Sequence, residues 1–439
     1  MKRIFVYRDE IFHNQDPIFY ILSYIKQHSN IKFTTELFDL SLSNIINVEN
    51  SYLFFSIRTI NEYILFEDII YYLRQKFKTL NLKIVLGGVT IRFLDYKQIL
   101  EYYPEVSHIV VGSGEEITIK ILSEDVSEGV HEITKGIIKN YTLDLEYYDY
   151  IDTPLLYFDN NRCINSCKFC ERYNIILHKR NSVEQIFNEI EKMYIKKYRV
   201  FYIFDNILNQ RKFVRLLEYC LRAKMYNVRF IITGGYCGID YEKIYKPIAK
   251  EWKKATRNDM PIHTIAVGLE IYSQDALNLY GKKITTEQID NTLKVFNELN
   301  INYLFYILHG LPGVSEKSFF EHKRWIEENS KNINSVKVNY FQLSSLTYIY
   351  KHLDQFKIRL LGKKKISEMM NKKPRNDIDT EFYYYELFDE ESNKYLTMDE
   401  LIKKYDQINY YCHLKEKKRG QSFKKMPFKW KRLCKSSKS

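Results

Sequence analysis

Three cysteines stand close together near the middle of the chain: Cys163, Cys167 and Cys170, in Arg162-Cys163-Ile164-Asn165-Ser166-Cys167-Lys168-Phe169-Cys170. Three thiolates on one short loop can each hold one iron of a cubane [4Fe–4S] cluster. The fourth iron then has no protein ligand. An open iron can chelate the amino and carboxylate groups of S-adenosylmethionine and deliver one electron to its sulfonium. A zinc knuckle or unrelated thiols are the alternatives. Structural zinc takes a fourth Cys or His, and neither follows Cys170 before His178. The remaining Cys220, Cys237, Cys412 and Cys434 are scattered and form no second ligand set by spacing. An odd count of seven, three of them clustered, does not read as a disulfide framework.

A loop of this kind needs a scaffold to aim it. The 439 residues suggest two or three domains. Residues 1–125 alternate strand-like and helix-like stretches: strands over 2–8, 31–38, 52–57, 83–86 and 108–111, helices over 17–28, 64–77 and 96–103. That order predicts a doubly wound parallel sheet, with its ligand over the carboxyl edge of the strands. Gly87-Gly88 and Gly112 fall on that edge. Glycine there allows close approach of a ligand, and equally allows a tight turn. Residues 126–153 read as a linker with a small hairpin around 136–141. A strand over 155–158 precedes the cysteines. After them, Ser182 and Gln185 form a capping box that opens a helix to about 196. Strands over 200–204, 229–233, 264–269, 303–308 and 336–341 alternate with helices over 210–223, 240–254, 285–298 and 316–328. Six strands alternating with helices predict an open, partial βα barrel over 154–345, its active site at the carboxyl ends of the strands. From 346 to 412 the pattern weakens to an aromatic strand at 381–389 and an amphipathic helix at 397–405. This part could cover the barrel mouth.

The net charge of +12 is local. Residues 413–439 hold eleven Lys/Arg against Glu416, so they carry +10 and the body is near neutral. The plain reading of such a tail is a solvated segment with salt-sensitive attraction to anions. Phe423, Phe428 and Trp430 among its lysines leave open docking on RNA, an acidic peptide or a membrane surface. No run of 18 apolar residues is present, so no membrane span is expected. The charged start, Met1-Lys2-Arg3, does not suit a signal peptide, and a cytoplasmic location is expected.

The C-x3-C-x2-C loop after the first strand of a βα barrel, with Phe169 before the last cysteine, resembles the radical S-adenosylmethionine superfamily. Phe204-Asp205-Asn206-Ile207-Leu208-Asn209, Val267-Gly268-Leu269-Glu270 with Gly281-Lys282-Lys283-Ile284-Thr285, and Ile307-Leu308-His309-Gly310-Leu311-Pro312-Gly313 resemble that superfamily's strand-end landmarks. They point to its branch with an N-terminal cobalamin-binding domain. The resemblance implies a [4Fe–4S] cluster on Cys163, Cys167 and Cys170. It implies S-adenosylmethionine contacts from Phe169, Asp205, Glu270 and Gly310. Asp205 could instead cap a helix, Glu270 could pair with Lys282 or Lys283, and His309 reads as a satisfied buried histidine.

The N-terminal resemblance permits a count. Cobalamin domains that displace the lower base carry Asp-x-His-x-x-Gly, then Ser-x-Leu, then Gly-Gly. Counting 28 residues back from Gly87-Gly88 reaches Ser56-Ile57-Arg58, and 41 more reaches Asp9-Glu10-Ile11-Phe12-His13-Asn14. Asp9, Ser56, Gly87, Gly88 and Gly112 are therefore the cobalamin-site candidates. Ile11 replaces the histidine, Arg58 the leucine and Asn14 the glycine. The implied activity is formation of a 5′-deoxyadenosyl radical and cobalamin-dependent methylation of an unactivated carbon in a peptide or natural product. A flavodoxin- or ferredoxin-type reductant is the implied partner. The rivals are radical chemistry without methylation (epimerisation, cross-linking or rearrangement) with a vestigial cobalamin domain, and an iron–sulfur sensor that binds nucleic acid. Transfer-RNA methylthiolation would require further N-terminal cysteines, and none precedes Cys163. Nucleic acid is accordingly not the expected partner.

Overall fold

The computed structural model describes residues 1–7, 16–38, 49–133, 135–139, 141–151, 154–158, 163, 165–171, 176–178, 181–369, 374–389, 393–397, 400 and 403. Asp9, Ile11, His13 and Asn14, the helix expected over 397–405 apart from 397, 400 and 403, and the basic tail lie outside them. The chain divides into two compact units: residues 1–152 with 174–177 and 362–384, and residues 153–173 with 178–361 and 385–439.

The first unit is built on a six-stranded sheet of β1 (Lys2–Tyr7), β2 (Phe33–Phe38), β3 (Ser51–Ser56), β4 (Leu82–Gly87), β5 (Val106–Gly112) and β6 (Gly129–Ile133). Every neighbouring pair is parallel and the order is β2-β1-β3-β4-β5-β6. The reason lies in the sequence. SYLFFS in β3 is buried throughout, as is all of β5 except its final glycine, as strands covered by helices on both faces must be. The helix Ile60–Lys76 opens on a capping box between Thr59 and Glu62. Its Phe66, Ile69, Ile70 and Leu73 join Leu53, Phe55, Ile84 and Leu86 in one core. The order reverses between β1 and β3, which is the switch point where doubly wound sheets take ligands.

Two expectations need revision here. The stretch 126–153 is not a bare linker, because Gly129–Ile133 extends the sheet as β6. Its isolated pattern is too short and too half-exposed to register as a strand. Residues 362–384 do not belong with the barrel. Ile366 and Ile378 are fully buried in the first unit's core. The Glu67 carboxylate, 1% exposed, accepts from Tyr103 Oη and from the backbone of Arg375 (2.9 Å) and Asn376 (3.1 Å).

Two further short strands are β7 (Lys135–Ile137) and β9 (Ile176–His178). The second unit holds β8 (Leu155–Leu156), β10 (Val200–Ile203), β11 (Arg229–Gly235), β12 (Ile262–Glu270), β13 (Tyr303–His309) and β14 (Val336–Tyr340). These six run parallel in chain order, β14-β13-β12-β11-β10-β8, so the sheet is an open βα arrangement as expected. Strand β13 alternates buried and half-buried along its length. Helices Val183–Ile195, Gln210–Arg222, Tyr241–Thr256, Thr286–Glu298 and Glu316–Asn329 occupy the connections. The Ser182–Gln185 capping box forms as read from sequence, with Ser182 N donating to Gln185 Oε1 at 2.7 Å. A further capping box, Thr285 with Gln288, opens the helix at 286. No helix among the described residues is long and apolar enough to cross a membrane.

Candidate active site

The cysteine segment leaves the carboxyl end of β8, and the strand end is tied down on several sides. Phe158 N donates to Asp205 Oδ1 at 3.2 Å. Asn181 donates from its backbone to Phe158 O at 3.1 Å and from its side chain to Tyr157 O at 2.7 Å. Asp205 is 5% exposed. The cap of the next helix is Asn209, which accepts from Lys212 N at 3.2 Å. Asp205 is therefore not that helix cap; one of its oxygens anchors the root of the cysteine segment.

The segment itself docks against residues 280–283. Lys168 N donates to Tyr280 O at 3.0 Å, and Lys283 N donates to Asn165 Oδ1 at 3.1 Å. Phe169 meets Tyr280 edge-on, with ring centroids 5.6 Å apart. Tyr236, at the end of β11, donates its hydroxyl to Lys283 O and lies 3.3 Å from Asn165 Oδ1. On the other side Ile349 N donates to Lys168 O at 3.3 Å, and the Lys168 ammonium lies over the rings of Tyr348 (5.5 Å) and Phe356 (5.8 Å). The part of the chain just past residue 345 therefore does pack on the cysteine segment.

Cys163 and Cys170 are half-buried and Cys167 is buried. Burial pushes the Cys167 thiol up to about 12, with the Lys282 ammonium pulling the other way and Cys163 and Cys170 adding to the rise. The three thiols thus share one electrostatic neighbourhood. Among the described residues no three of His, Cys, Asp or Glu converge on a single-ion site. A cubane asks for something different, one iron per thiolate, and the loop supplies three thiols and no fourth ligand.

Glu270 ends β12 in the left-handed region, with φ 66°. Its carboxylate lies 3.3 Å from Lys282 Nζ, so of the two lysines weighed from sequence it pairs with Lys282. A Cβ on Gly268 would fall 2.5 Å from Glu270 Oε1, so the pair packs directly over this glycine. Gly310 follows β13 with φ 71°. His309 beside it is 5% exposed, and burial pushes its pKa down to about 4. Cys220 and Cys237 are fully buried. Sequence reasoning passed over Asn165 and Tyr236. A Gly-Gly-Tyr at a strand end was the available signal, but nothing local says that Tyr236 reaches the cysteine segment.

In the first unit, Ser56, Gly87 and Gly112 end β3, β4 and β5, and Gly88 follows β4. The glycines have a structural reason of their own. Gly88 has φ 103° and a Cβ there would lie 2.3 Å from Ile57 O; Gly112 has φ 102° and a Cβ would lie 2.0 Å from Ile133 O. Arg58 is drawn back onto Glu62, with Nη2 at 2.9 Å from Oε1. The structure places these residues on one edge; Asp9 is outside the described set.

A model of the radical SAM superfamily matches residues 157–326. No curated protein matches the sequence. Among solved structures, the radical S-adenosylmethionine methyltransferase TsrM from Kitasatospora setae, with cobalamin and a [4Fe–4S] cluster bound, is similar at a TM-score of 0.59 and 12% identity, covering 82% of this chain and 77% of that one. The cobalamin-dependent S-adenosylmethionine radical enzyme OxsB, with aqua-cobalamin and S-adenosylmethionine bound, is similar at 0.57 and 15% identity, covering 87% of this chain and 64% of that one. The chain thus spans just under two thirds of OxsB. Residues 157–326, which include the cysteine loop at the carboxyl edge of the open six-stranded sheet, thus match the radical SAM superfamily model, and the chain shares the fold of TsrM and OxsB.

Proposed function

We propose that the protein binds a [4Fe–4S] cluster through Cys163, Cys167 and Cys170 and uses it with S-adenosylmethionine for radical chemistry, ending in cobalamin-dependent methylation of an unactivated carbon in a peptide or natural product. The carrying observation is the docked cysteine segment: three thiols held at a barrel mouth by Asp205, Asn165 and Tyr280. When bound, the cluster supplies one electron to the sulfonium, which splits to methionine and a 5′-deoxyadenosyl radical. The chain's own part is to orient and to shield. Phe169 and Gly310 offer backbone for the adenine, and the Asp205 carboxylate offers acceptor capacity to the methionine ammonium or ribose. Cobalamin would lie over Ser56, Gly87, Gly88 and Gly112 with Asp9, and would supply the transferable methyl group. A flavodoxin- or ferredoxin-type protein would bring the electron.

Radical chemistry without methylation is the second reading. It is favoured by Gly88 and Gly112, whose backbone packing explains them without a corrinoid, and by Arg58 in place of leucine. Anaerobic reconstitution should give about four irons and four sulfides per chain, as a cubane cluster requires. Dithionite and S-adenosylmethionine should then release 5′-deoxyadenosine, and Cys167→Ala should abolish this. A lone zinc in the purified chain, or an active Cys167→Ala variant, removes the proposal. Retention of a corrinoid absorbance after incubation with hydroxocobalamin separates the two readings: a chain that retains none follows the second.

A further inference from the structure

Lys282 is an unusual residue for its place. Its side chain is 7% exposed, and Glu270 is its ion-pair partner. An ammonium is costly to bury, and a partner alone rarely makes the pair stabilising. The chain nevertheless builds this pair, with Glu270 in the left-handed region at φ 66° and the pair packed over Gly268. Lys282 itself lies between two contacts to the cysteine segment, Tyr280 O with Lys168 N and Lys283 N with Asn165 Oδ1. Between those contacts Gly281 faces the segment directly, since a Cβ there would lie 3.5 Å from Ser166 O, next to Cys167 in the chain. With the Glu270 carboxylate at 3.3 Å, Lys282 is held as an ammonium on the turn that docks the cysteine segment.

We infer that the buried Lys282–Glu270 pair is a positioning device that sets the reduction potential of a cluster on the cysteine segment, Lys282 favouring the reduced state and Glu270 opposing it. The inference rests on the cluster reading above. Three thiolates and the sulfides of a cubane carry net negative charge, and adding an electron increases it. Charge and burial around the sulfurs are among the levers that set such potentials, and a low local dielectric magnifies a nearby charge.

The test is a dithionite titration of the reconstituted full chain, followed by the electron paramagnetic resonance of the reduced cluster. Lys282→Met should make reduction at least tenfold less favourable, about 59 mV for one electron, because Glu270 is left unbalanced. Glu270→Gln should shift the potential upward. The double variant should fall between the two, and Lys282→Arg should stay near the parent. The ordering is the signature, since a purely structural role would lower iron content in every variant without ordering the potentials by charge. Should Lys282→Met fail to fold, the upward shift of Glu270→Gln alone decides. Full iron in all variants with unchanged potentials overturns this inference and leaves the proposed function standing. A parent chain that binds no four-iron cluster removes both.

Discussion

Each of the two units is built on six parallel strands, yet they place their edges differently. The first is doubly wound, β2-β1-β3-β4-β5-β6, its order reversing between β1 and β3. The second runs in chain order from β8 to β14. In the first, the carboxyl edge is closed backbone against backbone: Gly88 on Ile57 beside β4 and β3, and Gly112 on Ile133 at the ends of β5 and β6. In the second, side chains tie the carboxyl edge: Asp205, Asn165, Tyr236 and the Glu270–Lys282 pair. One edge is therefore set by backbone packing and the other by side-chain contacts.

The largest expected break is at the carboxyl edge of the first sheet. Gly112→Val adds a Cβ 2.0 Å from Ile133 O at φ 102°, and should cost on the order of 3 kcal/mol or more. A urea midpoint unchanged from the parent would contradict the backbone reading. Glu67→Ala should follow, at about 2–3 kcal/mol, because two backbone donors of residues 375–376 lose their acceptor. Faster hydrogen exchange confined to 362–384 would show that this carboxylate is what pins the returning segment.

In the mouth the corresponding change is smaller and more local. Asn165→Ala removes the acceptor for Lys283 N, and should cost about 1–2 kcal/mol. Its effect should appear as weaker iron retention with little change in global unfolding; a large fall in the melting temperature would contradict local docking. Each unit also sets two histidines side by side, and of the four His108, His309 and His322 are buried. His108 Nδ1 lies 3.0 Å from His131 Nε2, and rings of His309 and His322 are 5.9 Å apart. Burial lowers His108 to about 4, with the charges of His131 and Lys83 adding to it, and lowers His322 to about 3, with His309 adding to it. Tyr272 N donates to His322 Nδ1 at 2.9 Å, which favours the neutral ring. These folded values lie below the usual 6.5 or so of an unfolded histidine. The stability they confer is present above that pH and is lost as pH falls toward 4 and then 3. Urea midpoints at pH 7.5 and 4.5 should therefore differ, and His108→Gln should narrow the gap. The smallest effect belongs to the caps: Thr59→Ala in the first unit and Ser182→Ala in the second should each cost about 1 kcal/mol. Unequal costs would show that one helix is held mainly by packing.

Much of this was readable in advance, for local reasons. Strands β3 and β5 announce themselves as continuous apolar runs, and the Ser182 box needs only four consecutive residues. Strand β6 was missed because its register comes from β5 rather than from its own pattern. The attachment of 362–384 was missed because Glu67, some 300 residues earlier, supplies the acceptor. The Glu270–Lys282 pair was foreseen as one of two options, and only the turn at 280–283 selects between them.

The sequence by itself determined the alternation of strand and helix, and with it both sheets apart from the edge strand β6. It also determined the three thiols, because spacing along one loop is a property of neighbouring residues. Tertiary structure decided what surrounds them. Asp205 became an anchor, Tyr236 and Asn165 a clasp, and Lys282 a buried charge paired with Glu270 on the turn that docks the cysteine segment. Those outcomes depend on which strand ends meet at one mouth, and contacts between residues distant in the chain are fixed only when the sheet has closed its order.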